Sequence, residues 1–169
     1  MKYPDFMNDV KIKPSKVYPL LEIFKNLENS KVLAILFPDK NKRIEFLGKQ
    51  RIIFSKKCTC CNVMNTKYIT FPYSYLNDKY IKEFYIDIIH ELTHCWQREK
   101  KHINFREMEK EIPYTVNLEE LEAYALGLVE AKKIGMTKKE YRHYIEGDDF
   151  LSEREKKELY GHVLKFKLK

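Results

Sequence analysis

Two of the chain's five histidines, His90 and His94, stand four residues apart in the stretch IIHELTHCWQ (88–97), and Glu91 directly follows the first. At 100° per residue, helix positions four apart differ by about 40°, so both imidazoles leave one face. Two imidazole nitrogens on one face suit a Zn²⁺ ion, and a carboxylate bordering that face is placed to move protons. His90-Glu91-Leu92-Thr93-His94 is the H-E-x-x-H pattern, whose usual chemistry is metal-assisted peptide hydrolysis. The simpler reading is two ordinary helix histidines in a chance pattern. The helical wheel argues against it. Ile81, Phe84, Tyr85, Ile88, Ile89, Leu92, Cys95 and Trp96 form an apolar stripe on the opposite side. The histidines are therefore not part of that stripe, and Cys95, which is, is not a ligand. Asp87, one turn before His90 on the histidine face, is a candidate to orient one of the rings, with a solvated aspartate as the plainer account.

A catalytic zinc site takes three protein ligands and a water, so a third ligand must lie elsewhere. NLEELEAYALG (117–127) offers Glu119, Glu120 and Glu122. Glu119 and Glu122 fall on the more polar side of a helix. Glu120 shares its side with Ala123, Tyr124, Gly127 and Ala131, a set with enough small residues to let two helices approach closely. Spacing alone leaves Glu120 two roles: metal ligand, or the N3 residue of a capping box opened by Asn117.

H-E-L-T-H followed some 25 residues later by Glu120-Leu-Glu-Ala123 resembles the gluzincins, zinc peptidases with H-E-x-x-H and a downstream E-x-x-A. Among them the chain is most similar to the compact ImmA/IrrE-type metallopeptidases of phage and mobile elements, with SprT-like proteases as a second family. The resemblance covers the two motif helices and the order of elements before them. It implies His90, His94 and Glu120 as metal ligands, Glu91 as catalytic base, Zn²⁺ as cofactor and a peptide or protein as substrate. It also implies an edge strand that receives extended substrate, here TKYITFP with Tyr68, Ile69 and Thr70 at its centre. The polar residue that usually follows E-x-x-A is replaced by Tyr124. Tyr124, His102 and Tyr114 are the candidates to stabilise the transition state. The SprT-like pattern wants a third histidine with a neighbouring glycine, and His102, in KKHINF, lacks that context.

Composition sets the frame. The 169 residues carry a net charge of +7, with 44% apolar and 34% charged side chains. That fits one globular domain of about 1–169, with a core over about 14–135 and a helical extension over 136–169. The charge is +7 over residues 1–57, −4 over 58–130 and +4 over 131–169. The basic flanks could attract nucleic acid, although solvated lysine-rich faces are the commoner cause. VLAILF, the longest aliphatic run, is far short of the ~20 residues a membrane span needs, and the N-terminus has no apolar signal core. No membrane association and a cytoplasmic location are expected. Cys58, Cys60 and Cys61 are not spaced as a disulfide framework, and no second cysteine pair completes a zinc ribbon.

The pattern predicts an α+β fold: an N-terminal helix, a small, mostly antiparallel sheet of 3–4 strands, the motif helix, then C-terminal helices. A helix is expected over residues 14–30. Strands are expected at KVLAILF (31–37), RIEFL (43–47), QRIIFSKK (50–57) and TKYITFPY (66–73), with Pro72 pointing to an edge position. Helices are expected over about 77–101, 118–134, 138–146 and 152–164. The expected function is peptide-bond hydrolysis by metal-activated water with Glu91 as general base. The alternative is a non-hydrolytic metal-binding regulatory or DNA-associated domain of mobile-element origin. A nucleic-acid module without metal ranks third.

Overall fold

The computed structural model describes residues 6–59, 61–63, 67–78, 81–101, 112–147 and 151–168. The chain begins with β1 (Val17–Pro19), α1 (Leu20–Ile23), a 3-10 turn (Leu27–Asn29), α2 (Lys31–Leu36) and α3 (Lys40–Lys49). Then come β2 (Arg51–Ser55), β3 (Asn62–Val63), β4 (Tyr68–Pro72), α4 (Tyr75–Asp78) and α5 (Ile81–Lys101). A second 3-10 turn (Tyr114–Val116) leads into α6 (Leu118–Lys133), followed by α7 (Lys138–Glu146) and α8 (Glu153–Lys165). The fold is α+β, as the pattern predicts. Among the described residues no helix is long and apolar enough to cross a membrane.

Alternation writes the central strands. Ile52 and Phe54 on β2, and Ile69 and Phe71 on β4, are fully buried and lie opposite each other in register, so they form one apolar face. That face packs on α5 through Phe84, whose ring meets Phe71 at 5.4 Å, Tyr75 at 5.7 Å and Phe24 at 5.8 Å, edge to face. The strand order is β1-β2-β4-β3; β1/β2 and β3/β4 are antiparallel and β2/β4 is parallel. The sheet is therefore mixed and not a meander. β4 is not the open edge that Pro72 suggested. Asn62 and Val63 of β3 pair with Thr70 and Ile69, so β4 lies inside the sheet between β2 and β3. The outer strand is β3, and its Val63 carbonyl already accepts a hydrogen bond from Arg98 of α5.

Two expected strands are helices, and capping explains both. Ser30 accepts from the Leu33 N–H and starts α2; Asp39 accepts from the Asn41 and Lys42 N–H groups and starts α3. A short apolar run such as VLAILF fits strand or helix by length, and only the caps and the partners decide. The expected helix over 14–30 is instead broken into β1, α1 and a turn. Asn26 adopts a left-handed backbone (φ 64°) between α1 and that turn, which no continuous helix allows.

One carboxylate joins the N-terminal half to the C-terminal helices. Glu130 of α6 is fully buried and accepts from Ser30 Oγ (2.9 Å), the Val32 N–H (3.0 Å) and Tyr85 Oη (3.1 Å). It thereby satisfies a donor at the start of α2, where a negative charge is favoured. Burial, and then the Glu130 charge, push the Tyr85 phenol well up, which keeps it a neutral donor. Glu130→Ala leaves these buried donors unpaired and should cost about 3 kcal/mol, read as a lowered thermal midpoint, whereas Glu130→Gln should cost less. Equal midpoints for Glu130→Ala and wild type would remove this link from the fold's framework.

Candidate metal centre

α5 buries both of its faces. The apolar stripe meets the sheet, and His90, Glu91 and His94, each 7% exposed, lie beneath α6. The crossing is close because α6 presents small residues there. Ala123 and Ala131 are fully buried, and a Cβ on Gly127 would stand 3.4 Å from the Ile86 side chain and from Tyr141 Oη. Asn117 caps α6 by accepting from the Glu119 N–H at 3.0 Å. The capping-box role for Glu120 is thus not taken up, and its carboxylate turns to α5.

There it meets both histidines. His90 Nε2 and His94 Nε2 are 3.0 Å apart; Glu120 Oε2 lies 3.3 Å from the first and Oε1 3.4 Å from the second. Among the described residues these three are the group whose ligand atoms converge closely enough to hold a metal ion. Bonds of about 2.0–2.1 Å at tetrahedral angles place neighbouring ligand atoms about 3.3 Å apart, and the triad stands at that spacing. Two imidazole nitrogens and one carboxylate also form a donor set that suits Zn²⁺.

Electrostatics gives the same account. Burial alone would lower His94, but the charge and hydrogen bond of Glu120, with Glu91 and Gln97, outweigh it and raise His94 to about 9. Burial alone would raise Glu120, but His94 and His90 outweigh it and hold the carboxyl well below the usual range. Without a metal, a proton can supply the positive charge this contact favours, and a bound cation would displace it. Glu91 differs. Burial raises its carboxyl above the ordinary range, and the nearby histidines only partly offset this. A carboxyl tuned upward by burial suits proton transfer near neutral pH.

The ring orientation of His94 comes from a residue that the sequence reading overlooked. Gln97, fully buried one turn later on α5, receives the His94 Nδ1–H on its Oε1 at 2.8 Å. Its own amide donates to the Glu119 carbonyl at 3.0 Å and to Glu122 Oε2 at 2.8 Å, which fixes the amide's orientation. Nδ1 is therefore the protonated nitrogen, and Nε2 is the one turned to the triad. Glu122, taken for a surface residue, anchors this link. A buried glutamine three residues after the second histidine was the available signal.

The remaining expected residues divide. Tyr124 packs on the His90 ring at 4.6 Å between centroids, and its Oη lies 3.2 Å from Tyr114 Oη. Tyr114 Oη donates to Glu120 Oε2 at 2.9 Å, so both tyrosines belong to the site. Asp87 was a candidate to orient a histidine, with a solvated aspartate as the plainer account. It instead accepts from Tyr144 Oη at 2.7 Å, and His90 Nδ1 has no hydrogen-bond partner among the described residues. His102 and Cys60 lie outside the described residues; Cys58 and Cys61 are half-buried and do not join the triad. Neither the family models, nor the curated proteins, nor the solved structures include a match to this chain.

Glu120→Ala should abolish stoichiometric Zn²⁺ binding, whereas Glu119→Ala, which keeps the backbone carbonyl that Gln97 uses, should retain it. Gln97→Ala should weaken binding about 10–100-fold, the range for loss of an orienting partner. Competition with a chromophoric chelator measures all three, and wild-type affinity in Gln97→Ala would show that His94 needs no such support.

Proposed function

We propose that the chain is a zinc-dependent peptidase that hydrolyses peptide bonds, with His90, His94 and Glu120 as metal ligands and Glu91 as general base. The convergence of the two Nε2 atoms, 3.0 Å apart, with the two Glu120 oxygens, each 3.3–3.4 Å from one of them, carries this reading. It is supported by the order of the motif residues, which resembles the gluzincins, and by the burial of Glu91 beside the triad. Zinc, when bound, would polarise the scissile carbonyl and lower the pKa of a bound water toward about 7.

The chain's own residues supply the rest. Glu91 takes the proton from the attacking water and later returns it to the nitrogen of the leaving amine, so its carboxyl ends each cycle unprotonated. A phenol has one proton, and that of Tyr114 is engaged by Glu120 Oε2. The Tyr114–Tyr124 contact then takes its proton from Tyr124, and exchanging that neighbour for the developing oxyanion would make Tyr124, whose ring is seated against His90, the donor. Gln97 keeps His94 in the tautomer that ligation requires. The substrate class is a peptide or protein, met in the cytoplasm of a host carrying a mobile element. The net charge of +7 favours the second reading, a metal-binding regulatory domain that associates with DNA and does not hydrolyse peptides.

Glu91→Gln preserves side-chain size and removes basicity. Zinc content and thermal midpoint should match wild type, while cleavage of a peptide library falls by about 10²–10⁴. Equal cleavage by both proteins would remove Glu91 as the base. Zinc binding with no cleavage of any library peptide by wild type would favour the regulatory domain.

A further inference from the structure

A carboxylate ligand can engage a metal through one oxygen or both, and a second oxygen beside two histidines and a water would fill the fifth position that a substrate carbonyl needs. Glu120 has both oxygens within reach of the centre, Oε2 beside His90 and Oε1 beside His94. Tyr114 breaks this symmetry. Its hydroxyl donates to Oε2 at 2.9 Å, and an oxygen that accepts a hydrogen bond is a weaker electron-pair donor to a cation. Tyr114 is itself held on two sides. Its Oη lies 3.2 Å from that of Tyr124, and the next residue's carbonyl, Thr115 O, accepts from His162 Nδ1 of α8 at 2.7 Å. Leu159 and Val163 seat α8 in the core on either side of that contact.

We propose that Tyr114 is a positioning residue that reserves one oxygen of Glu120, leaving the other for the metal, and that α8 sets Tyr114 through the His162–Thr115 contact. This rests on the zinc reading above and extends it to the coordination number of the centre. The C-terminal helix thereby governs whether a fifth coordination position stays open to the substrate carbonyl. Displacing α8 loosens the turn at residues 114–116, and Glu120 then takes both positions. The metal stays bound and hydrolysis falls.

The test uses the full chain loaded with Co²⁺, whose visible absorption is strong when four-coordinate and weak when five-coordinate. Tyr114→Phe keeps the ring and removes the hydroxyl. It should retain one Co²⁺ per chain, lose most of the visible absorption, and with Zn²⁺ show kcat reduced about 10–100-fold at little change in KM. His162→Ala should shift the spectrum the same way, and His162→Asn, whose amide can reach toward Thr115 O, should restore it. An unchanged spectrum in Tyr114→Phe overturns the proposal. If Tyr114→Phe does not fold, identical spectra for wild type, His162→Ala and His162→Asn overturn it instead. A wild-type chain that binds neither Co²⁺ nor Zn²⁺ overturns the zinc reading, and the proposal with it.

Discussion

Two imidazoles and a carboxylate, all largely shielded from water, meet within 3.4 Å, and that contact favours a positive charge at its centre. A proton or a divalent cation can supply it. The rest of the architecture serves to hold the three side chains at this spacing against their mutual desolvation. They come from two helices, so the α5–α6 crossing must be both close and stiff. Closeness comes from Ala123, Gly127 and Ala131. Stiffness comes from Phe84 and its aromatic neighbours on the sheet side and from Glu130 at the far end of α6.

The helices after α6 belong to the same structure. Leu159, Val163, Tyr141 and Ile145 share one apolar core with the sheet residues, and Tyr141 Oη donates to the Tyr124 carbonyl. Through Tyr144 on Asp87 and His162 on Thr115, α7 and α8 reach the two segments that carry the ligands. The stretch that composition marked as a helical extension thus supports the centre.

Residues around the triad divide the work by chemistry. Gln97 is neutral, so it can fix the tautomer of His94 without adding a further buried charge. Burial leaves Glu91 with a raised proton affinity, which the nearby histidines only partly offset. The tyrosines supply hydroxyls, and that of Tyr114 donates to Glu120.

Much of this was legible in the sequence because it depends on helical period alone. The spacing of His90 and His94 and the opposed apolar stripe are local consequences of 3.6 residues per turn, and the Asn117 cap is a local signal of its own. The long helices followed from them. Local pattern failed where a segment's partner was distant. VLAILF and RIEFL are helices because Ser30, Asp39 and Glu130 satisfy their first turns, and Glu130 is about a hundred residues away from α2. β4 became an inner strand because β3, two residues long and without a periodic signature, pairs along it. Tertiary structure alone decided between the two roles of Glu120, since a carboxylate at a helix start can turn to its own backbone or to a neighbouring helix with equal sequence support. It also supplied Gln97 and the partners of Glu122 and Tyr114. Which side chain a buried nitrogen or oxygen bonds is fixed by the crossing of two helices, and no periodicity within either helix records where that crossing falls.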